Sequence, residues 1–174
     1  MRRLLLLRHA KSDWSGGGLD VDRPLAARGG EAAPRMAAYL KDESLLPDLA
    51  LVSSARRTRE TWDLVRPALG PVEARFEPRI YEAPVARLLA VVQEVEASIR
   101  TLLMVGHNPG FQDLARTLVG HGDRYAFARL QEKYPTAGLA VLDFSVEAWS
   151  DVAPGGGRLD RFVTPKSLGA GEDD

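Results

Sequence analysis

Apolar residues along this chain come in short unbroken runs, separated by stretches where they recur every three or four positions. Leu4 to Leu7 stand side by side without alternation, which predicts a short strand covered on both faces, as in a parallel sheet. Asp48 to Ser54 (DLALVSS), Thr101 to Val105 (TLLMV) and Gly138 to Phe144 (GLAVLDF) predict further strands. Between them the spacing turns helical. Gly30 to Leu40 is rich in alanine, and its Pro34 is expected only near a first turn. Thr58 to Leu69 sets Trp62, Val65 and Leu69 on one stripe. Val85, Leu88, Leu89, Val92 and Val95 follow the helical template, as do Phe111, Leu114 and Leu118.

Strands alternating with helices predict one α/β domain over residues 1–168, a mostly parallel, doubly wound sheet with helices on both faces. Ala148 to Val152 and Leu159 to Val163 flank APGGGR and are expected to form an antiparallel hairpin at one edge. Residues 15–23 (SGGGLDVDR) read as a glycine-rich loop, and GAGEDD gives a polar, disordered C-terminal tail over 169–174.

Composition narrows the chemistry. The net charge of -1 gives no global positive field for nucleic acid, so any anion site must be local. Cysteine is absent, which excludes disulfides, thiolate metal sites and thiol-based phosphatase mechanisms. The run of four leucines ends at Arg8, too soon for a signal peptide or a membrane span. The chain is therefore expected to start at its mature N-terminus and to work in the cytoplasm as a monomer, away from membranes.

In an open parallel sheet, ligands bind beyond the carboxyl ends of the strands. Three predicted strands end in unusual residues: the first in Arg8 and His9, the second in Ser53, Ser54 and then ARRTR, the third in Gly106, His107 and Asn108. Each ending has a plain alternative, since arginines at a helix start can be a solvated face and GHNPG can be a turn. Together they place two of the three histidines and several arginines at one sheet edge. Several cations at the positive end of a helix are tolerable if they jointly hold an anion.

Two imidazoles and two guanidiniums around one point suit phosphoryl transfer through a phosphohistidine. A neutral imidazole nitrogen is a competent nucleophile, and a covalent intermediate divides hydrolysis into two displacements. Charge spreads over three equatorial oxygens in the transition state, so the protein must supply fixed donors around them. Guanidinium forks fit those oxygens well. The second histidine is expected to be protonated by anionic neighbours and to act as a charged donor.

The ordered set LLLLRHAKSDW, DRPLAARG, SSARRTRET, IYEA, GHNP and TPKSL resembles the histidine phosphatase superfamily, whose RHG signature here reads RHA, and within it the SixA branch of small phosphohistidine phosphatases. The resemblance spans nearly the whole chain and implies a phosphoglycerate mutase-like fold with no cofactor and no metal. It implies that His9 is the phosphorylated nucleophile, that Arg8 binds the phosphoryl group and that His107 is the second pocket histidine. The pocket arginine lies four residues after the first serine of its motif, which selects Arg57, with Arg56 as the adjacent rival. Glu82 in IYEAP matches the position of a leaving-group acid, with Asp13 and Asp22 as alternatives on the glycine-rich loop. Arg56, Ser12, Trp14 and Asn108 are the expected substrate-binding residues. Trp14 either stands at the pocket mouth or anchors the loop from beneath.

The substrate implied is phosphohistidine on a signalling protein, for instance a phosphotransfer domain. The rival readings are a phosphatase of small sugar or nucleotide phosphates, a mutase on the same machinery, and a phospho-binding module without turnover. DVD at Asp20 to Asp22 follows no buried strand and reads as flexible loop. GGG at 16–18 lacks the lysine of a P-loop. His121 reads as a surface histidine, and the three histidines show no metal-site spacing.

Overall fold

The computed structural model describes residues 1–169. The residues expected as a polar tail therefore lie, Gly169 apart, outside the described part. Strand β1 (Arg2–Arg8) forms at the N-terminus and leads through a long loop to helix α1 (Ala27–Asp42). There follow β2 (Leu49–Ser53), α2 (Arg56–Val65), β3 (Glu73–Glu77), α3 (Val85–Gln93), β4 (Thr101–Gly106) and α4 (Gly110–Leu118). The chain ends with β5 (Val119–Gly122), α5 (Arg124–Glu132), β6 (Leu139–Phe144) and β7 (Gly157–Val163). One seven-stranded sheet has the order β3-β2-β4-β1-β6-β7-β5.

The leucine run shows why the sheet is covered twice. Leu4 and Leu6 pack with Leu88, Phe111 and Leu114 of α3 and α4, while Leu5 and Leu7 pack with Met36, Leu40 and Trp62 of α1 and α2. All four leucines are fully buried, and each contributes about 1.5–3 kcal/mol of transfer free energy. An apolar residue at every position is what burial on both faces demands.

Strands β2, β3 and β4 all run parallel to β1, so their carboxyl ends share one edge. From β1 the chain moves outward to β2 and β3. It returns to place β4 beside β1, then crosses to β5 at the far side. The order therefore reverses between β1 and β4. This is the point where open α/β sheets bind ligands.

The antiparallel hairpin is present, with β6 and β7 as its arms. The segment expected as its first arm, Ala148 to Val152, instead makes a tight turn at Trp149–Asp151. The Trp149 indole is buried and donates to the Ile99 carbonyl at 2.6 Å; a large side chain that needed the core outweighed strand pairing here. Short β5 then pairs parallel to the outer side of β7.

Helix α1 begins three residues earlier than its alanine pattern suggested, which leaves Pro34 in its interior rather than near the first turn. Packing of Ala33, Met36, Ala37 and Leu40 against the sheet outweighs the lost hydrogen bond. The sequence reading also passed over β3, whose EARFE pattern carries charges on an exposed edge, and α5. Among the described residues no helix is long and apolar enough to cross a membrane.

Candidate active site

Backbone register sets the site. The His9 amide donates to the Gly106 carbonyl at 3.0 Å, so pairing between β1 and β4 continues one residue past β1 and carries His9 alongside His107. The two ring centroids are 5.4 Å apart. Gly106 makes this approach feasible: a Cβ there would stand 2.4 Å from the Phe111 ring and 2.9 Å from Ile80. Below the site, Phe111 fills the space that a side chain at 106 would need.

His9 is only 5% exposed, and its Nδ1 lies 2.7 Å from the Ala10 carbonyl oxygen. A carbonyl can only accept, so Nδ1 carries the proton and Nε2 keeps the lone pair. The Ala10 peptide is itself fixed, because its amide donates to Thr61 Oγ1 of α2 at 3.0 Å. Ala10 is fully buried and its methyl joins the core on the α1 face, so alanine in place of the signature glycine fits without strain. Burial is the main cause that holds the His9 pKa well below the ordinary imidazole value, with His107, Arg8 and Arg57 adding to it. The ring is neutral at pH 7.

His107 is 8% exposed, and its Nε2 shares a 2.7 Å hydrogen bond with Ser53 Oγ from the end of β2. Its pKa is lowered to about 3, first by burial and then by Arg57. The expectation of a protonated second histidine is therefore corrected for the ligand-free site. Its charged neighbours are mainly cations, and the one anion that acts on it, Asp20, does not offset burial.

The adjacent arginines of α2 point apart, as neighbours on a helix must. Arg57 is buried and faces the histidines. Its Nη1 donates to the Asp20 carbonyl at 2.8 Å and its Nη2 to the Asp20 carboxylate at 3.1 Å, while its Nε is buried without a hydrogen-bond partner among the described residues. Arg56 faces outward and pairs with Glu60 at 3.0 Å. Arg8 is aimed by a bond from Nη1 to the Tyr134 carbonyl at 2.9 Å.

Around these groups lies a cavity of about 600 Å³, lined by Arg8, His9, Ser12, Arg57, Glu82 and His107, among others. Trp14 stands at its mouth, 72% exposed, with the Arg23 guanidinium 3.5 Å from its ring centroid. It does not anchor the loop from beneath. Ser12 accepts a hydrogen bond from Arg23. Asn108 reaches the cavity, yet its side-chain oxygen accepts from the Gln112 amide at 3.1 Å and so shapes the start of α4. Glu82 lines the wall with a φ of 52°, a left-handed conformation that costs a non-glycine residue on the order of 1–2 kcal/mol. Such strain persists where the surroundings fix a side chain in place. Asp13 caps the Ser15 amide, and neither it nor Asp22 lines the cavity.

The sequence reading missed Asp20, which it set aside as flexible loop. Its carboxylate accepts from Arg57, Arg23 and the Tyr81 hydroxyl, and the Tyr81 bond leads in lowering its pKa to about 2. Ionised at any neutral pH, it is a counter-ion for the arginines and no proton donor. The usable signal was the arginine itself: a buried guanidinium needs acceptors for its N–H groups, and the loop that follows RHA was one source of them. Tyr81 also packs edge-on against the His107 ring at 5.4 Å.

Residues 4–88 match the family model described as histidine phosphatase superfamily (branch 1). An uncharacterized protein of Mycobacterium tuberculosis is 36% identical over 162 residues, which cover 92% of this chain and all of that one. A solved structure from Agrobacterium tumefaciens, described as phosphohistidine phosphatase SixA, is 30% identical with a TM-score of 0.80, covering 94% of this chain and 98% of that one. The fold also resembles a mycobacterial glucosyl-3-phosphoglycerate phosphatase, at 20% identity and a TM-score of 0.67, over 92% and 98% of the two chains. The strand order, the paired imidazoles at its reversal point and these likenesses agree: the chain is a phosphatase that belongs to the histidine phosphatase superfamily, on its SixA-like branch.

Proposed function

We propose that this chain removes the phosphoryl group from phosphohistidine on a protein, through a phosphohistidine of its own at His9. One observation carries the reading. The His9 Nδ1 proton is committed to the Ala10 carbonyl, which leaves Nε2 as the reacting nitrogen beside Arg8, Arg57 and His107.

In the first displacement, Nε2 forms a bond to phosphorus as the bond from phosphorus to the substrate imidazole breaks, and the departing imidazole takes a proton. Arg8 and Arg57 hold the equatorial oxygens. His107 gains a proton as the dianion enters, because an anion nearby favours the charged imidazole. In the second displacement water attacks phosphorus, the P–Nε2 bond breaks, and phosphate leaves with His9 restored. In this reading Glu82, which lines the cavity as Asp113 also does, gives and then recovers a proton; it matters more for ester substrates, whose leaving oxygen is the poorer leaving group.

The open mouth at Trp14 supports a protein-borne substrate, as does the likeness to the Agrobacterium protein. A second reading, a phosphatase of small phosphate esters, is favoured by the cavity volume, which would hold a sugar phosphate, and by the likeness to the glucosyl-3-phosphoglycerate phosphatase. Side-by-side kcat/KM on a phosphohistidine protein and a panel of sugar and nucleotide phosphates tests the choice. The first reading expects the protein to be the better substrate, and much faster turnover of a small ester would replace it with the second. Trapping with a labelled phosphoryl donor tests the intermediate: wild type takes label on His9 and His9→Ala takes none, with turnover down by at least about 10³-fold. Phosphate binding without label in either protein would reduce the chain to a binding module.

A further inference from the structure

The catalytic cavity shares a wall with a second one. Trp14, Asp20 and Arg23 line both, and the Arg23 guanidinium stacked on the Trp14 ring forms the partition. The second cavity measures about 560 Å³ and lies between the loop 14–24 and the start of α2, with Leu19 and Arg56 among its lining. Neither of these two residues lines the catalytic cavity.

Its lining is poorly suited to a structural gap. Trp14 and Leu19 are 72% and 71% exposed, so one loop holds two large apolar side chains in water. Nothing lies within 4 Å of where a Cβ would stand at Gly16, Gly17 or Gly18, so the loop backbone there is uncovered. The Arg56 side chain is 56% exposed and pairs with Glu60 across one helical turn. An exposed pair of this kind is weak, and a carboxylate from outside can take its place.

We infer that this second cavity is a subsite for the polypeptide that carries the phosphohistidine. An apolar side chain close to the phosphorylated residue seats between Trp14 and Leu19, and a neighbouring carboxylate meets Arg56. The inference rests on the function proposed above and adds to it the recognition of the chain around the reacting group. Continuity selects a polypeptide over a second small molecule: a ligand bound at His9 stops at the Trp14–Arg23 partition, whereas an extended chain runs past it. Asp20 and Asp22 line the cavity as well as Arg23 and Arg56, so its charge is mixed, with Arg56 the guanidinium on the α2 side; exposed apolar surface beside such a pocket is the pattern of a protein contact.

The test compares one phosphoryl chemistry with and without polypeptide. Initial rates are measured on a phosphohistidine-bearing phosphotransfer domain, on free phosphohistidine and on p-nitrophenyl phosphate. Wild type, Leu19→Asp and Arg56→Glu are compared, with thermal unfolding run alongside. Both positions are exposed, so the unfolding temperatures should match. The inference expects kcat/KM on the protein to fall at least 10-fold in each variant, through KM, while both small substrates stay within twofold. Equal losses on all three substrates, or no loss on any, would overturn it. If wild type fails to turn over either phosphohistidine substrate while hydrolysing the ester, the proposed function falls and this subsite falls with it.

Discussion

On one side of β1 every strand runs parallel; on the other, β6 runs against β1 and β7 against β6. The first half delivers chemistry and the second does not. Parallel strands end together, so β1, β2 and β4 set His9, Ser53 and His107 at one edge, with Arg57 just inside α2. Antiparallel strands end on opposite edges, and their polar side chains are used across the sheet instead. There Arg3, Asp143, Arg158, Asp160, Arg161 and Glu43 form one run of ion pairs. In the first half Arg8 and Arg57 line a cavity that an anion from outside can enter, with Asp20 as the counter-ion of Arg57. In the second half the charges pair with one another across the sheet.

Substitution of one charge in each half sharpens the contrast. Arg57→Ala should lower kcat/KM on a small ester by about 10²–10³-fold, the effect of one lost transition-state donor. Arg56→Ala should stay within about twofold on the same ester. A comparable loss in both would mean that the α2 arginines act as a general field and not through aim.

A pH experiment probes the buried imidazoles. Both histidines are held neutral in the fold, His107 with a pKa of about 3, whereas an unfolded histidine titrates near 6.5. Between those values the unfolded chain binds more protons, so stability rises with pH: it is fully present above about pH 6.5 and is lost as pH falls. His107 should cost about 2 kcal/mol between pH 7.5 and pH 5, and His9 acts in the same direction. Urea unfolding at the two pH values should therefore show a smaller decline for His107→Gln than for wild type. Equal declines would place the titration elsewhere. Asp20 does not interfere, since it titrates at about 2 when folded and near 3.9 when unfolded.

The smallest effect is expected on the other half. Arg158→Ala removes pairs to Asp143 and Asp160 from a side chain that is 47% exposed. It should cost at most about 1 kcal/mol in unfolding and leave kcat unchanged. A fall in kcat would show that the two halves are coupled.

What could be read from the sequence follows the same division. Leu4 to Leu7, LALV and LLMV are apolar at every position because both faces are covered, and that pattern is unmistakable in a linear sequence. With those strands placed, the rule for strand ends brought Arg8, His9, the arginines of α2 and His107 together, and the family resemblance chose Arg57 over Arg56. Loops have no period, so nothing in SGGGLDVDR told Asp20 from Asp22. Edge strand β3 hid because its exposed position favours charge. The first arm of the hairpin was misplaced because Trp149 and Val152 match a strand as well as a buried turn.

Tyr134 ties a distant stretch of the chain to the aim of the site. Its buried hydroxyl bonds to the Leu6 carbonyl and accepts from the Ala140 amide at 3.1 Å, joining β1 to β6, and its own carbonyl holds Arg8 across 126 positions of sequence. One of the bonds that direct the signature arginine thus comes from a residue made late in synthesis. A chain cut before Tyr134 would lose that bond and the tie between β1 and β6 together.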